Sequence, residues 1–124
     1  MEKWIYLIIG GAVGTLARYI LTGNIYEKIS TTFPYGTLAV NLLGCFLVGF
    51  FDVLFEEKFL LGPNIRIFLT VGFCGAFTTF STLILETSNL IKDGQTWPAF
   101  ANVLLSVTLG FVVFRLGILL GKLI

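Results

Sequence analysis

Gly72-Phe-Cys-Gly-Ala-Phe-Thr-Thr-Phe-Ser-Thr82 lies in the middle of an apolar segment running from about residue 65 to residue 91. That segment exceeds the ~20 residues one helix needs to cross a bilayer, and its centre is rich in Gly, Ser and Thr rather than Leu and Val. The pattern predicts a broken helix. At membrane depth, non-helical backbone is stable only where protein or a water-filled cavity satisfies its polar groups, so a break points to a buried interface or an ion site. The same glycines and hydroxyls also suit a packing face between two ordinary spans. On these residues alone the two readings stand level.

Working outward, the rest of the chain sets the class. Of 124 residues, 56% are hydrophobic and 12% charged, and the mean hydropathy is +0.95, far from the balance of a soluble domain. The length accommodates four spans with short connections. We therefore expect an all-α membrane protein of one domain, 1–124, with four transmembrane helices near 4–22, 36–55, 65–91 and 97–122, the third broken at mid-membrane. A net charge of +1 gives no basic patch for nucleic acid. There is no His, which removes the commonest proton relay and metal ligand. Cys45 and Cys74 both fall in apolar spans and read as small packing residues.

The first span opens on Trp4 and Tyr6, an aromatic anchor, after a short charged prefix without a small-residue cleavage site, so no removable signal peptide is expected. Gly10 and Gly14 are spaced for close helix approach. Arg18, further along the same face, either snorkels to the interface or lines a water-filled vestibule that draws anions inward. Residues 23–34 read as a polar connection, closed by the Pro34-Tyr35-Gly36 turn.

The second span carries Thr37, Asn41 and Cys45 at helical spacing, with Asp52 near the same face. An amide in hydrocarbon must find partners. Asn41 could bond a neighbouring helix, or its N–H donors could serve a partly dehydrated anion. Past the break, Glu86 follows the hydroxyl cluster by about one turn and either caps a network with Ser81 or Thr82 or sits in a wet vestibule. The fourth span starts at Trp97-Pro98 and bears Asn102, Ser106 and Gly110 in a ladder, then Gly117 and Gly121 as a second close-packing pair.

In order and spacing, three motifs resemble the small bacterial fluoride channels of the Fluc or CrcB family. They are Gly-Gly-x-x-Gly-x-x-x-Arg at Gly10 to Arg18, Gly-Thr-Leu-x-Val-Asn-Leu at Gly36 to Leu42, and the Gly72 to Thr82 stretch. The resemblance covers nearly the whole chain. It implies a channel rather than an enzyme, passing fluoride passively out across the bacterial plasma membrane. It further implies an antiparallel, dual-topology homodimer and a structural Na+ held at the interface by the backbone carbonyls of Gly75 and Thr78. By the same resemblance the fluoride pore is formed by Asn41, Phe80, Ser81, Thr82, Thr37, Asn102 and Ser106, with Arg18, Glu86 and Leu83 as vestibule or supporting residues. Physics makes these roles sensible: a broken helix exposes carbonyls at a negative dipole end, and fluoride needs N–H, O–H or ring-edge donors in place of water.

Two positions depart from the family pattern. Leu83 stands where a second phenylalanine is usual, so that aromatic position is either absent or supplied by a neighbour such as Phe77, and Gly110 ends the ladder without a hydroxyl. Charge placement is nearly even. Lys3, Lys58, Arg66 and Lys122 fall on one side and Lys28, Lys92 and Arg18 on the other, a weak bias that fits insertion both ways. A four-helix multidrug exporter would need a membrane-embedded acid in the first span, where this chain has none, and a non-transporting assembly subunit would use its glycines for packing only.

Overall fold

The computed structural model describes all 124 residues, and every regular element is helical. We number the helices α1 (Glu2–Lys28), α2 (Tyr35–Glu56), α3 (63–77), α4 (Phe80–Lys92) and α5 (Thr96–Leu123). With α3 and α4 taken as one span, four helical segments are long and apolar enough to cross a bilayer, with mean hydropathies of 1.5, 2.2, 1.8 and 2.4. The chain is a multi-pass membrane protein.

Glycine decides which helices meet. A Cβ on Gly10 would stand 2.5 Å from the Phe68 carbonyl oxygen, and one on Gly14 would collide with the Phe73 carbonyl, so α1 and α3 touch backbone to backbone. Likewise Gly49 abuts the Phe114 carbonyl, Gly117 the Phe46 carbonyl and Gly121 the side chain of Val53, which joins α2 to α5 along most of their length. The result is two close pairs, α1 with α3 and α2 with α5. Beyond the break the third span changes partner, and α4 packs mainly on α5.

α3 opens on proline and is not α-helical throughout. Proline at its first position suits an N-terminus whose N–H has no intrahelical acceptor. From Ile67 to Cys74 it is then wound as a π-helix, wider than an α-helix, over the stretch that faces Gly10 and Gly14. The break itself is short. Gly75–Phe77 is still helical, and only Thr78 (φ −91°, ψ 157°) and Thr79 (φ −150°, ψ 111°) are extended. Gly72 serves close contact with Gly10 rather than unwinding, since its Cβ would stand 3.0 Å from the Gly10 Cα.

α1 runs on to Lys28, past the expected end of the first span near residue 22. The polar residues there stay helical because they are used: the Thr22 hydroxyl donates to the Arg18 carbonyl at 2.8 Å, and Tyr26 is tied to α2 and α4. At the opposite end of the bundle, Arg66 pairs with Glu56 and lies over the Phe55 ring, and Asn64 donates to Glu2 at 3.2 Å.

Candidate functional site at the helix break

An interrupted helix leaves backbone groups that hydrocarbon cannot satisfy. In this chain Asn41 satisfies two of them. Its Oδ1 accepts from the Thr79 N–H at 2.7 Å and its Nδ2 donates to the Thr79 carbonyl at 3.1 Å, so one side-chain amide pairs with one residue as a neighbouring strand would. The Thr79 hydroxyl caps α4 by accepting from the Thr82 N–H at 3.3 Å, and it donates to the Thr82 hydroxyl at 2.9 Å. The Thr78 hydroxyl closes the end of α3 by donating to the Cys74 carbonyl at 3.0 Å. Gly44 makes room for this turn, because a Cβ there would collide with the Thr78 methyl.

Three carbonyls mark the C-terminal end of α3. Arg18 Nε donates to the Ala76 carbonyl at 2.9 Å, placing a cation at the negative dipole end. The Thr79 N–H that would otherwise return to the Gly75 carbonyl goes to Asn41 instead, and no hydrogen bond within the chain reaches the Thr78 carbonyl. Two neutral hard oxygens at a half-helix end are a donor set of the kind that suits Na+. No group of three His, Cys, Asp or Glu side chains offers an alternative cation site.

Beside the break lies an open-sided groove of about 360 Å³, lined by Asn41, Thr79, Phe80, Leu83, Ser106 and Phe114 among others. Of the residues expected at a pore, Asn41, Phe80 and Ser106 line it, as does Leu83. Thr82 stands behind Thr79, and Ser81 is exposed on α4. Phe77 does not supply the second aromatic position: it is 3% exposed and stacks on Phe73 at 5.4 Å, whereas Phe114 of α5 brings a ring to the groove.

From the groove two polar rows lead toward the loops at 29–34 and 93–95. On α5, Ser106 donates to the Asn102 carbonyl at 2.6 Å, and buried Asn102 donates through Nδ2 to the Thr87 hydroxyl at 3.0 Å. On α2, Thr37 lies one turn below Asn41 and donates to Glu86 Oε1. Glu86 thus engages Thr37 and Tyr26 rather than Ser81 or Thr82. Sequence reasoning missed Thr79, Thr87 and Tyr26. Thr79 lay within the threonine-rich stretch without being singled out, and Tyr26 left a signal in the unbroken i+4 row Gly10, Gly14, Arg18, Thr22, Tyr26.

The family described as CrcB-like protein, Camphor Resistance (CrcB), matches residues 5–118. The fluoride-specific ion channel FluC of Desulforapulum autotrophicum is 46% identical over 123 residues, 99% of this chain and 98% of that one. The protein of the same name from Maridesulfovibrio salexigens is 44% identical over 124 residues, 100% of this chain and 98% of that one. That from Geobacter sp. is 43% identical over 122 residues, covering 98% of each chain.

Proposed function

We propose, from the premise that this chain belongs to the CrcB family, that it is a fluoride-selective ion channel and not an enzyme. It lets fluoride leave the cytoplasm passively across a bacterial plasma membrane. The observation that carries the reading is the largely apolar groove at a helix break pinned by Asn41, into which Asn41, Thr78, Thr79 and Ser106 bring polar groups. One Nδ2 hydrogen of Asn41 has no partner within the chain, the Phe80 ring and Ser106 line the groove, and Thr37 and Asn102 lie one turn beyond it; Ser81 and Thr82 of α4 would join the path only from outside this groove. Fluoride is small and strongly hydrated, so closely spaced donors can replace its water where chloride, a weaker acceptor, gains less. Efflux of fluoride and chloride from liposomes holding the purified protein tests the reading. Fluoride should leave and chloride should stay.

A single chain leaves this path open on one side. Phe80 is 75% exposed although it sits at the middle of a span, beside the break. A second copy in the opposite orientation would cover that face, which supports an antiparallel homodimer. In such a dimer the Gly75 and Thr78 carbonyls of both copies would hold one Na+, a structural ion that offsets the cost of burying unpaired oxygens. Exhaustive replacement of sodium by a bulky organic cation is therefore expected to weaken the dimer and stop conduction together, read by size-exclusion chromatography and flux. A sodium-free dimer that still conducts would contradict the site.

A further inference from the structure

The Tyr26 hydroxyl lies at the meeting point of three helices. It donates to Glu86 Oε2 of α4 at 2.9 Å, accepts from the Thr37 N–H of α2 at 3.1 Å and lies 3.1 Å from the Thr37 hydroxyl oxygen. Thr37 in turn donates its hydroxyl to Glu86 Oε1. Each carboxylate oxygen therefore receives one hydroxyl, one from α1 and one from α2. The seat for the ring is built into the chain: a Cβ on Gly36 would stand 2.8 Å from the Tyr26 ring carbons, so only glycine there admits the tyrosine at this depth.

The cluster's position gives it a consequence. Thr37 is one turn from Asn41 along α2, Asn102 is one turn from Ser106 along α5, and the two rows converge on Glu86 and its neighbour Thr87. A carboxylate at that convergence repels an anion unless its charge is held aside and partly compensated by donors. Glutamate is long and its rotamers are many, so something must fix it. Thr37 alone fixes one oxygen. Two donors fix both oxygens and the plane of the carboxylate.

We infer that Tyr26 is a positioning residue for anion passage: with Thr37 it clamps the Glu86 carboxylate beside the polar rows and keeps that charge out of the ion's way. The inference rests on the fluoride reading for its transport consequence, while the clamp itself stands independently. Removing the hydroxyl frees Oε2 to seek another donor and unfixes the plane of the carboxylate.

Tyr26→Phe keeps the ring and its packing and removes only the hydroxyl. In liposomes it is expected to slow fluoride efflux by about tenfold, the equilibrium factor for the low end of one hydrogen bond to a charged group. In a Glu86→Gln background the same change should have little further effect, since the charge it controls is gone. Infrared difference spectra read the clamp itself, and the flux comparison between the two backgrounds separates a role in passage from packing. The carboxylate stretch that vanishes in Glu86→Gln should shift in Tyr26→Phe, with the dimer's elution unchanged. An unshifted band overturns the clamp whatever ion the protein passes. A shifted band with parental flux, or equal losses in both backgrounds, overturns the role in passage. A parent that passes no fluoride while the band still shifts would overturn the functional reading and with it that role, leaving the clamp as packing alone.

Discussion

Replacing Asn41 with aspartate is expected to suppress fluoride efflux by at least about a hundredfold while leaving a folded protein, and the expectation follows from what the amide does on each side. Toward the backbone, Asn41 both accepts from and donates to Thr79. Aspartate keeps the acceptor and loses the donor, so an oxygen faces the Thr79 carbonyl and that carbonyl goes unpaired, at about 1–3 kcal/mol. Toward the groove, a fixed negative charge replaces an N–H donor. At an effective dielectric of about 20, two unit charges of like sign about 4 Å apart repel by roughly 4 kcal/mol, which alone exceeds a hundredfold. Flux assays and size-exclusion elution of the variant check both halves. If the aspartate form conducts like the parent, Asn41 is not at the ion path.

The second large effect is expected at Gly44. A methyl there collides with the Thr78 methyl on the extended residue that begins the break. Gly44→Ala should therefore cost about 1–3 kcal/mol and abolish most conduction, because the break cannot shift without disturbing the Asn41–Thr79 pair. Thr78→Ser removes the obstructing methyl yet keeps the hydroxyl that donates to Cys74. Combined with Gly44→Ala it should restore thermal stability and most of the flux. Tolerance of Gly44→Ala alone, or failure of the serine to rescue it, would show that this contact does not hold the break in place.

Much of the architecture could be read from the chain because hydrocarbon leaves few options. Apolar length set four spans, the glycine pairs marked where helices touch, and the Gly and Thr content of residues 72–82 marked an interrupted span. The position of the interruption was less legible. Glycine can unwind a helix or let another backbone approach, and in this chain Gly72 and Gly75 stay helical while Thr78 and Thr79 are extended, Thr79 paired with an amide 38 residues away in sequence. That choice is made by tertiary pairing, which local composition does not encode. The π-helical winding of Ile67–Cys74 likewise has no local signature and lies where α1 presses closest. Tyr26 went unrecognised because polar residues near a span's end look like a loop, and its partners lie 11 and 60 residues away. By sequence Arg18 suits a snorkelling or a vestibule role. Its hydrogen bond to Ala76 depends on where α3 ends, a fact fixed only once the break is located.

On the proposed function, the helix break pinned by Asn41 makes a path for fluoride and not for chloride. That selectivity is tested most directly by a single reconstitution, in which liposomes loaded with both anions receive the purified protein and ion-selective electrodes follow each anion after potassium and valinomycin relieve the charge. Rapid fluoride release with chloride retained is the expected result. Release of both anions at comparable rates, or of neither, would contradict it.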